Sequence, residues 1–320
     1  MSDGRMKVLY VAGLGRSGST LLGNVLGQVE DFVSVGEVRS IWQHGLIQNK
    51  VCGCGRLFGE CEFWQPILDE AYGGKVDPYR MTELRESWVR TKYIPLMLTP
   101  PGKRFVRRRL AEYVENLERL YRAVQTTTGS RVIVDTSKFP AYSFAVSMVP
   151  SVDLHVVHLV RDPRAVAHSW LRKKLMPDPE TPEYIPQDSP TGTSMRWAAR
   201  NLGTELFWRR YPERYLLLRY EDFVAQPQKA LRRVLELVNE GSTPLPHVAE
   251  HEVQLGINHN IWGNPNRFQT GPVRLRPDDE WISKMRPRDK ALVTLLTLPL
   301  LARYGYPIAP AKASAGAAEG

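Results

Sequence analysis

Arg16, Ser17, Ser19 and Thr20 share a turn with Gly13, Gly15 and Gly18, and that combination is chemistry for an anion. Glycine lets the backbone turn tightly and approach a ligand, while free N–H groups at the start of a following helix face it with positive charge. Gly13 and Gly18 have the spacing of a Walker A loop, yet Ser19 stands where that loop carries its lysine. Hydroxyls, amides and one guanidinium suit a phosphate-like group that need not bring a metal. A second anion set is Arg161 with Ser169, a guanidinium fork and a hydroxyl eight residues apart. Glu37, directly after Gly36, is a carboxylate that is a candidate for chemistry, and Lys138 closes the polar cluster Asp135-Thr136-Ser137-Lys138.

These residues need elements to deliver them. Val8 to Gly13 is apolar and β-prone, and a helical pattern follows from Ser19 to Val29. Phe32 to Gly36 reads as a short strand that leaves Glu37 at its carboxyl end, where open α/β sheets bind ligands. Val132-Ile133-Val134 reads as a buried parallel strand ending in the polar cluster, with Asp135 open to a second reading as a Walker B carboxylate on Mg²⁺. Leu154 to Val160 is a further strand, after which Pro163 takes a first helical position. His158 alternates with apolar neighbours and reads as a core histidine. Tyr215 to Leu218 gives one more strand, and its Arg219-Tyr220-Glu221-Asp222 ending reads as structural.

The alternation of strand and helix makes the class α/β, expected as one domain over residues 6–308. Residues 76–128 form a helical insert, with helices near 82–98 and 103–125 joined by Thr99-Pro100-Pro101-Gly102. Its Arg104, Arg107, Arg108 and Arg109 read as a solvated face or as a surface leaning toward an acidic acceptor. Residues 173–195 hold five prolines and read as a lid. Residues 309–320 are small, aperiodic and expected to be disordered.

Net charge of +9 with a pI near 9.5 favours anionic partners. No zinc-finger spacing, basic arm or aromatic RNA-binding signature accompanies it, so nucleic acid is not expected. The longest apolar run, Ala291 to Leu301, is too short to span a bilayer, contains a proline and reads as a core helix. Stable membrane insertion is not expected. The amino terminus lacks a long apolar stretch with a cleavage site, which points to a cytoplasmic protein. Cys52, Cys54 and Cys61 are an odd set, which argues against a disulfide framework. Inert thiols, one local disulfide, or a metal completed by a ligand such as His44 remain open, although the spacing fits no common zinc module.

The chain resembles the sulfotransferases that use 3′-phosphoadenosine 5′-phosphosulfate (PAPS), whose phosphosulfate loop is similar to Gly15-Arg16-Ser17-Gly18-Ser19-Thr20-Leu21. Gly36-Glu37 resembles the Gly-Glu that supplies the base in tyrosylprotein-type and carbohydrate-type enzymes. Lys138 resembles the lysine near the bridging oxygen of PAPS, and Arg161 with Ser169 resembles the 3′-phosphate motif. In the Asn258-to-Phe268 loop, Arg267 is the best match to a late 3′-phosphate contact. The Cys-x-Cys-Gly loop is also similar to one in some bacterial relatives.

The resemblance implies a P-loop-type three-layer fold with a mostly parallel sheet between helices. It also implies PAPS as co-substrate, 3′-phosphoadenosine 5′-phosphate (PAP) as product, no metal, and a hydroxyl acceptor on a small molecule or glycan. The expected catalytic set is Glu37, Lys138 and Arg16, with His44 next in line as base. The expected cofactor-binding set is Gly15, Arg16, Ser17, Gly18, Ser19, Thr20, Arg161, Ser169 and Arg267. A P-loop kinase or NTPase and a non-catalytic polyanion-binding protein are the alternatives. The acceptor and the oligomeric state are not legible in the sequence.

Overall fold

The computed structural model describes residues 4–309 apart from 174, 177–182, 247 and 250. Strand β1 (Met6–Gly13) turns into α1 (Ser19–Leu26), and β2 (Phe32–Gly36) follows. A π-helical stretch, Ile41–Ile47, precedes α2 (Trp64–Tyr72), α3 (Pro78–Trp88), α4 (Ile94–Leu98), α5 (Pro100–Arg109) and α6 (Ala111–Thr128). Next come β3 (Val132–Lys138), α7 (Pro140–Val146), β4 (Val152–Val160) and α8 (Pro163–Leu171). The pair β5 (Leu175–Met176) and β6 (Glu183–Tyr184) leads to α9 (Pro190–Trp208) and β7 (Tyr215–Arg219). Helices α10 (Tyr220–Ala225) and α11 (Pro227–Leu237) precede β8 (Val248–Ala249), β9 (Glu252–Leu255) and β10 (Gly271–Arg274). The last helices are α12 (Glu280–Lys284) and α13 (Pro287–Arg303).

Five strands form a parallel sheet in the order β2-β3-β1-β4-β7. Strands buried on both faces read as continuous apolar runs, as in Val132-Ile133-Val134. Alternate residues feed two cores. Val8, Tyr10, Ile133 and Val156 pack with Tyr121 of α6 and Tyr142 of α7 on one side, and Leu9, Val11, Val134 and Val157 pack with Leu22 of α1 and Leu231 of α11 on the other. The result is the three-layer α/β fold expected, with β8, β9 and β10 as a separate antiparallel sheet.

Register breaks bring β3 to its task. Tyr10 pairs with Asp135 but Ala12 pairs with Lys138, so β3 carries one extra residue there. Such a bulge re-aims the side chains that follow it.

The helical insert differs from expectation in its breaks. Pro100 and Pro101 open α5 instead of forming a loop, because proline suits a first helical position and Thr99 Oγ1 accepts the Gly102 amide at 3.2 Å as a cap. Arg104, Arg107, Arg108 and Arg109 are all exposed, with Arg109 lying over the Trp88 and Phe105 rings. Of the segment expected as a lid, residues 174 and 177–182 lie outside the described residues, and α9 already begins at Pro190. The expected tail, beyond residue 309, also lies outside them.

Pro299 sits inside α13 without ending it. That helix buries Val293, Thr297 and Leu301, while Leu295 and Leu296 face solvent, so only one stripe of the apolar run is core. Among the described residues no helix is long and apolar enough to cross a membrane.

Candidate active site

The glycine turn delivers its residues to the carboxyl end of the sheet. Arg16 has φ 73° and Gly18 φ 91°, both in the left-handed region. At Gly18 the requirement is double, since a Cβ there would lie 2.4 Å from the Tyr220 ring. Gly18 caps α1 without a side-chain hydrogen bond, and the first turn carries no acidic residue, so its N–H groups face the crevice unopposed.

The crevice is a cavity of about 330 Å³. Its wall includes Gly15, Arg16, Gly18, Ser19 and Thr20 from the turn, Glu37 after β2, Lys138 ending β3, and Arg161 and Ser169 around β4 and α8. Two anion sets separated in sequence by about 150 residues therefore share one cavity. Ser17 is the exception. It is buried off the wall, and its Oγ has no hydrogen-bond partner.

Glu37 and Lys138 meet there. The Lys138 ammonium donates to Glu37 Oε1, and both side chains are nine-tenths buried. Lys138 has φ 71°, a conformation that costs a non-glycine residue on the order of 1 kcal/mol and that the surrounding sheet imposes. Gly263 closes over the pair. A Cβ at that position would lie 2.9 Å from Glu37 Oε1 and 3.5 Å from Thr20 Oγ1.

Arg161 is held from three sides. Its Nη1 donates to the Arg16 carbonyl at 2.9 Å, its Nη2 pairs with Asp278 Oδ2 at 3.0 Å, and the guanidinium lies 4.7 Å over the Tyr220 ring. Asp162 caps α8 by accepting the Arg164 amide at 2.8 Å and pairs with the Arg164 side chain, which fixes the strand end. Arg16 lies over Trp170 at 5.2 Å, and burial, with Arg172 nearby, lowers its guanidinium from its usual value.

Other wall residues gave no motif. Arg196 and Arg200, four apart on one face of α9, both reach the cavity. Their helical spacing is the signal that could have found them. The Phe139 ring lies between Arg200 at 3.6 Å and Arg39 at 3.8 Å, and burial plus the second guanidinium push Arg200 down to about 10. Trp262, Gly263, Asn264, Asn266 and Asp278 come from late loops whose sequence shows only turn residues. Ile185 is the contribution of the lid segment.

Two residues named from the sequence lie off this wall, and the rival Mg²⁺ reading of Asp135 finds no support in its surroundings. Arg267 does not line the cavity; it is 2% exposed, donates to the Val51 carbonyl at 3.0 Å and ties two loops together. The late loop reaches the cavity through Gly263, Asn264 and Asn266 instead. His44 is also off the wall, stacked on Trp262 at 3.7 Å with Gln48 on its Nδ1, and the histidine beside the cysteines is His259. Asp135 is not poised for Mg²⁺. It is fully buried and accepts from Tyr121 Oη at 2.6 Å and from the Ser137 amide at 2.8 Å, and desolvation raises its carboxyl to about 6. His158 is the core histidine expected, bonded to Tyr215 and Asn201, and burial lowers it to about 4.

Residues 9–241 match the model of the sulfotransferase family. Among solved structures, a sulfotransferase domain from the curacin biosynthetic pathway shares 17% identity over 94% of this chain and 98% of its own, with a TM-score of 0.54. The sulfotransferase domain of the Synechococcus PCC 7002 olefin synthase shares 19% identity over 96% of this chain and 98% of its own, with a TM-score of 0.49. A Mycobacterium avium sulfotransferase shares 14% over 94% of this chain and 78% of its own, with a TM-score of 0.48. No curated protein matches by sequence. A family match spanning most of the chain, on the three-layer fold described above, makes this chain a member of the sulfotransferase family and an enzyme of sulfuryl transfer.

Proposed function

We propose that the donor is PAPS, that the acceptor is a hydroxyl of a small molecule or glycan, and that Glu37 is the general base. The observation that carries this reading is the buried contact of Glu37 with Lys138 inside the cavity that also holds both anion sets.

The donor set fits a bisphosphorylated nucleotide. Arg16, Lys138, Arg161, Arg196 and Arg200 line the cavity against two carboxylates, Glu37 and Asp278, so the wall is strongly cationic. The α1 amides with Ser19 and Thr20 would hold the phosphosulfate end, and Arg161 with Ser169 the 3′-phosphate. When bound, PAPS supplies the sulfuryl group and a nucleotide leaving group.

The chain supplies the rest. Glu37 takes the proton of the acceptor hydroxyl, and Lys138 and Arg16 face the negative charge that grows on the leaving side. Gly263 lies against the carboxylate, and Trp262 belongs to the same wall. Sulfuryl transfer, like phosphoryl transfer, asks mainly for alignment and fixed charge, which rigid strand ends provide.

The test is Glu37→Gln with labelled PAPS and an acceptor extract. Transfer should fall roughly 10²–10⁴-fold while calorimetric PAP affinity stays near wild type. Transfer near the wild-type rate would move the base elsewhere.

A further inference from the structure

Three cysteines and one histidine that sulfuryl transfer leaves unused meet at one point. Cys52, Cys54 and Cys61 lie between the π-helical stretch and α2, whereas His259 lies after β9, about 200 residues later. Cys61 Sγ is 3.6 Å from Cys52 Sγ and 3.7 Å from Cys54 Sγ. His259 Nδ1 is 3.3 Å from Cys61 Sγ and 3.9 Å from Cys52 Sγ, and all four ligand atoms lie within 4.8 Å of one another. Ligands at about 2.3 Å (sulfur) and 2.0–2.1 Å (nitrogen) from a tetrahedral zinc stand roughly 3.5–3.8 Å apart, the interval these contacts straddle.

We infer that Cys52, Cys54, Cys61 and His259 bind one zinc ion in a closed structural site. An S₃N set of tetrahedral size selects zinc over harder cations, and four protein ligands leave no position for a reacting water. Each thiol loses its proton to solvent and the neutral imidazole gives its lone pair, so the bound cluster carries one net negative charge and nothing is oxidised or reduced. A disulfide is the poorer account of the same residues, because joining two of the sulfurs would leave the third and the imidazole without purpose in a shared pocket.

The surroundings are those of a ligand shell. The Trp64 amide donates to the Cys61 carbonyl at 3.0 Å. Phe63 stacks on the His259 ring at 4.4 Å, and Trp64 Nε1 donates to the His259 carbonyl at 2.8 Å. Partners of this kind orient metal ligands.

The ion would clip two loops that already touch. The Gly53 amide donates to the Asn260 carbonyl at 3.0 Å, and Arg267 reaches Val51 from the same late loop. Two residues beyond Asn260 that loop supplies Trp262 and Gly263 to the cavity, with Gly263 against Glu37. The zinc is thereby a positioning element for the active-site wall, remote from the chemistry itself.

The experiment is elemental analysis of the full chain purified without chelator, followed by cobalt substitution. One zinc per chain and a tetrahedral, thiolate-ligated cobalt spectrum are expected. His259→Ala and Cys54→Ser, checked for folding by circular dichroism, should lose zinc to a chelator that leaves wild type loaded. In wild type stripped of zinc by a stronger chelator, amide exchange over residues 256–268 should quicken. Zinc well below one equivalent, or a thiol count showing one disulfide and one free cysteine, overturns the site; unchanged exchange overturns the clip. The inference does not rest on the donor or base proposed above, and none of these readouts involves turnover, so either reading can fail alone.

Discussion

Arg161 is fixed by an aspartate and a backbone carbonyl, so in its proposed role on the 3′-phosphate it needs little rearrangement. Its rotamer cost is met before any ligand arrives, which favours binding by preorganisation. Arg161→Ala should weaken PAP binding roughly 10–100-fold by calorimetry, the range for a lost charge-assisted hydrogen bond. Unchanged affinity would take Arg161 out of the donor site. Arg267 shows the converse. Its sequence neighbours suit an anion, but its guanidinium serves the Val51 carbonyl and its backbone carbonyl accepts from Asn258.

At the scale of elements, the glycine turn depends on α10 as much as on its own residues. Gly18→Ala puts a methyl into the Tyr220 ring at a left-handed φ, so the turn must shift or the tyrosine must move. We expect a lower melting temperature together with weaker PAP binding, measured by thermal scans with and without PAP. A variant that melts and binds like wild type would mean that the ring contact does not hold the turn.

The same elements show what could be read in advance. Strands β1 and β3 were legible because burial on both faces leaves a run of apolar residues, β4 because its histidines stand among apolar neighbours, and the strand ends named Lys138 and Arg161. Proline was ambiguous. Pro100 and Pro287 begin helices and Pro299 sits within one, and sequence alone does not distinguish these from breaks. The late-loop residues were not legible, since Gly263 acquires meaning only from Glu37, which lies against it in space but far away in the chain. His259 was missed for the same reason, because a metal-like spacing is not visible when the fourth member lies about 200 residues away.

Over the whole molecule, two buried groups titrate in one window with opposite effects. Asp135, raised to about 6 by desolvation, contributes stability that is full below its unfolded value near 4 and is lost as pH rises through about 6. His158, lowered to about 4 by burial, contributes stability that is full above its unfolded value near 6.5 and is lost as pH falls through about 4. The two offset each other. Asp135→Asn should therefore remove that offset, and its melting temperature should fall more steeply than that of wild type on acidification from about 6.5 to 4. Parallel curves would show that Asp135 does not titrate in this window.

The Glu37–Lys138 contact carries a last consequence, which concerns sequence in time. With Glu37 as the proposed base, a carboxylate engaged by Lys138 is a poor acceptor of the incoming hydroxyl's proton until a bound anion draws the ammonium aside. Kinetics should follow a compulsory queue, nucleotide before acceptor, with PAP competing against the donor and not against the acceptor. Random entry in initial-rate plots would mean that the contact imposes no queue.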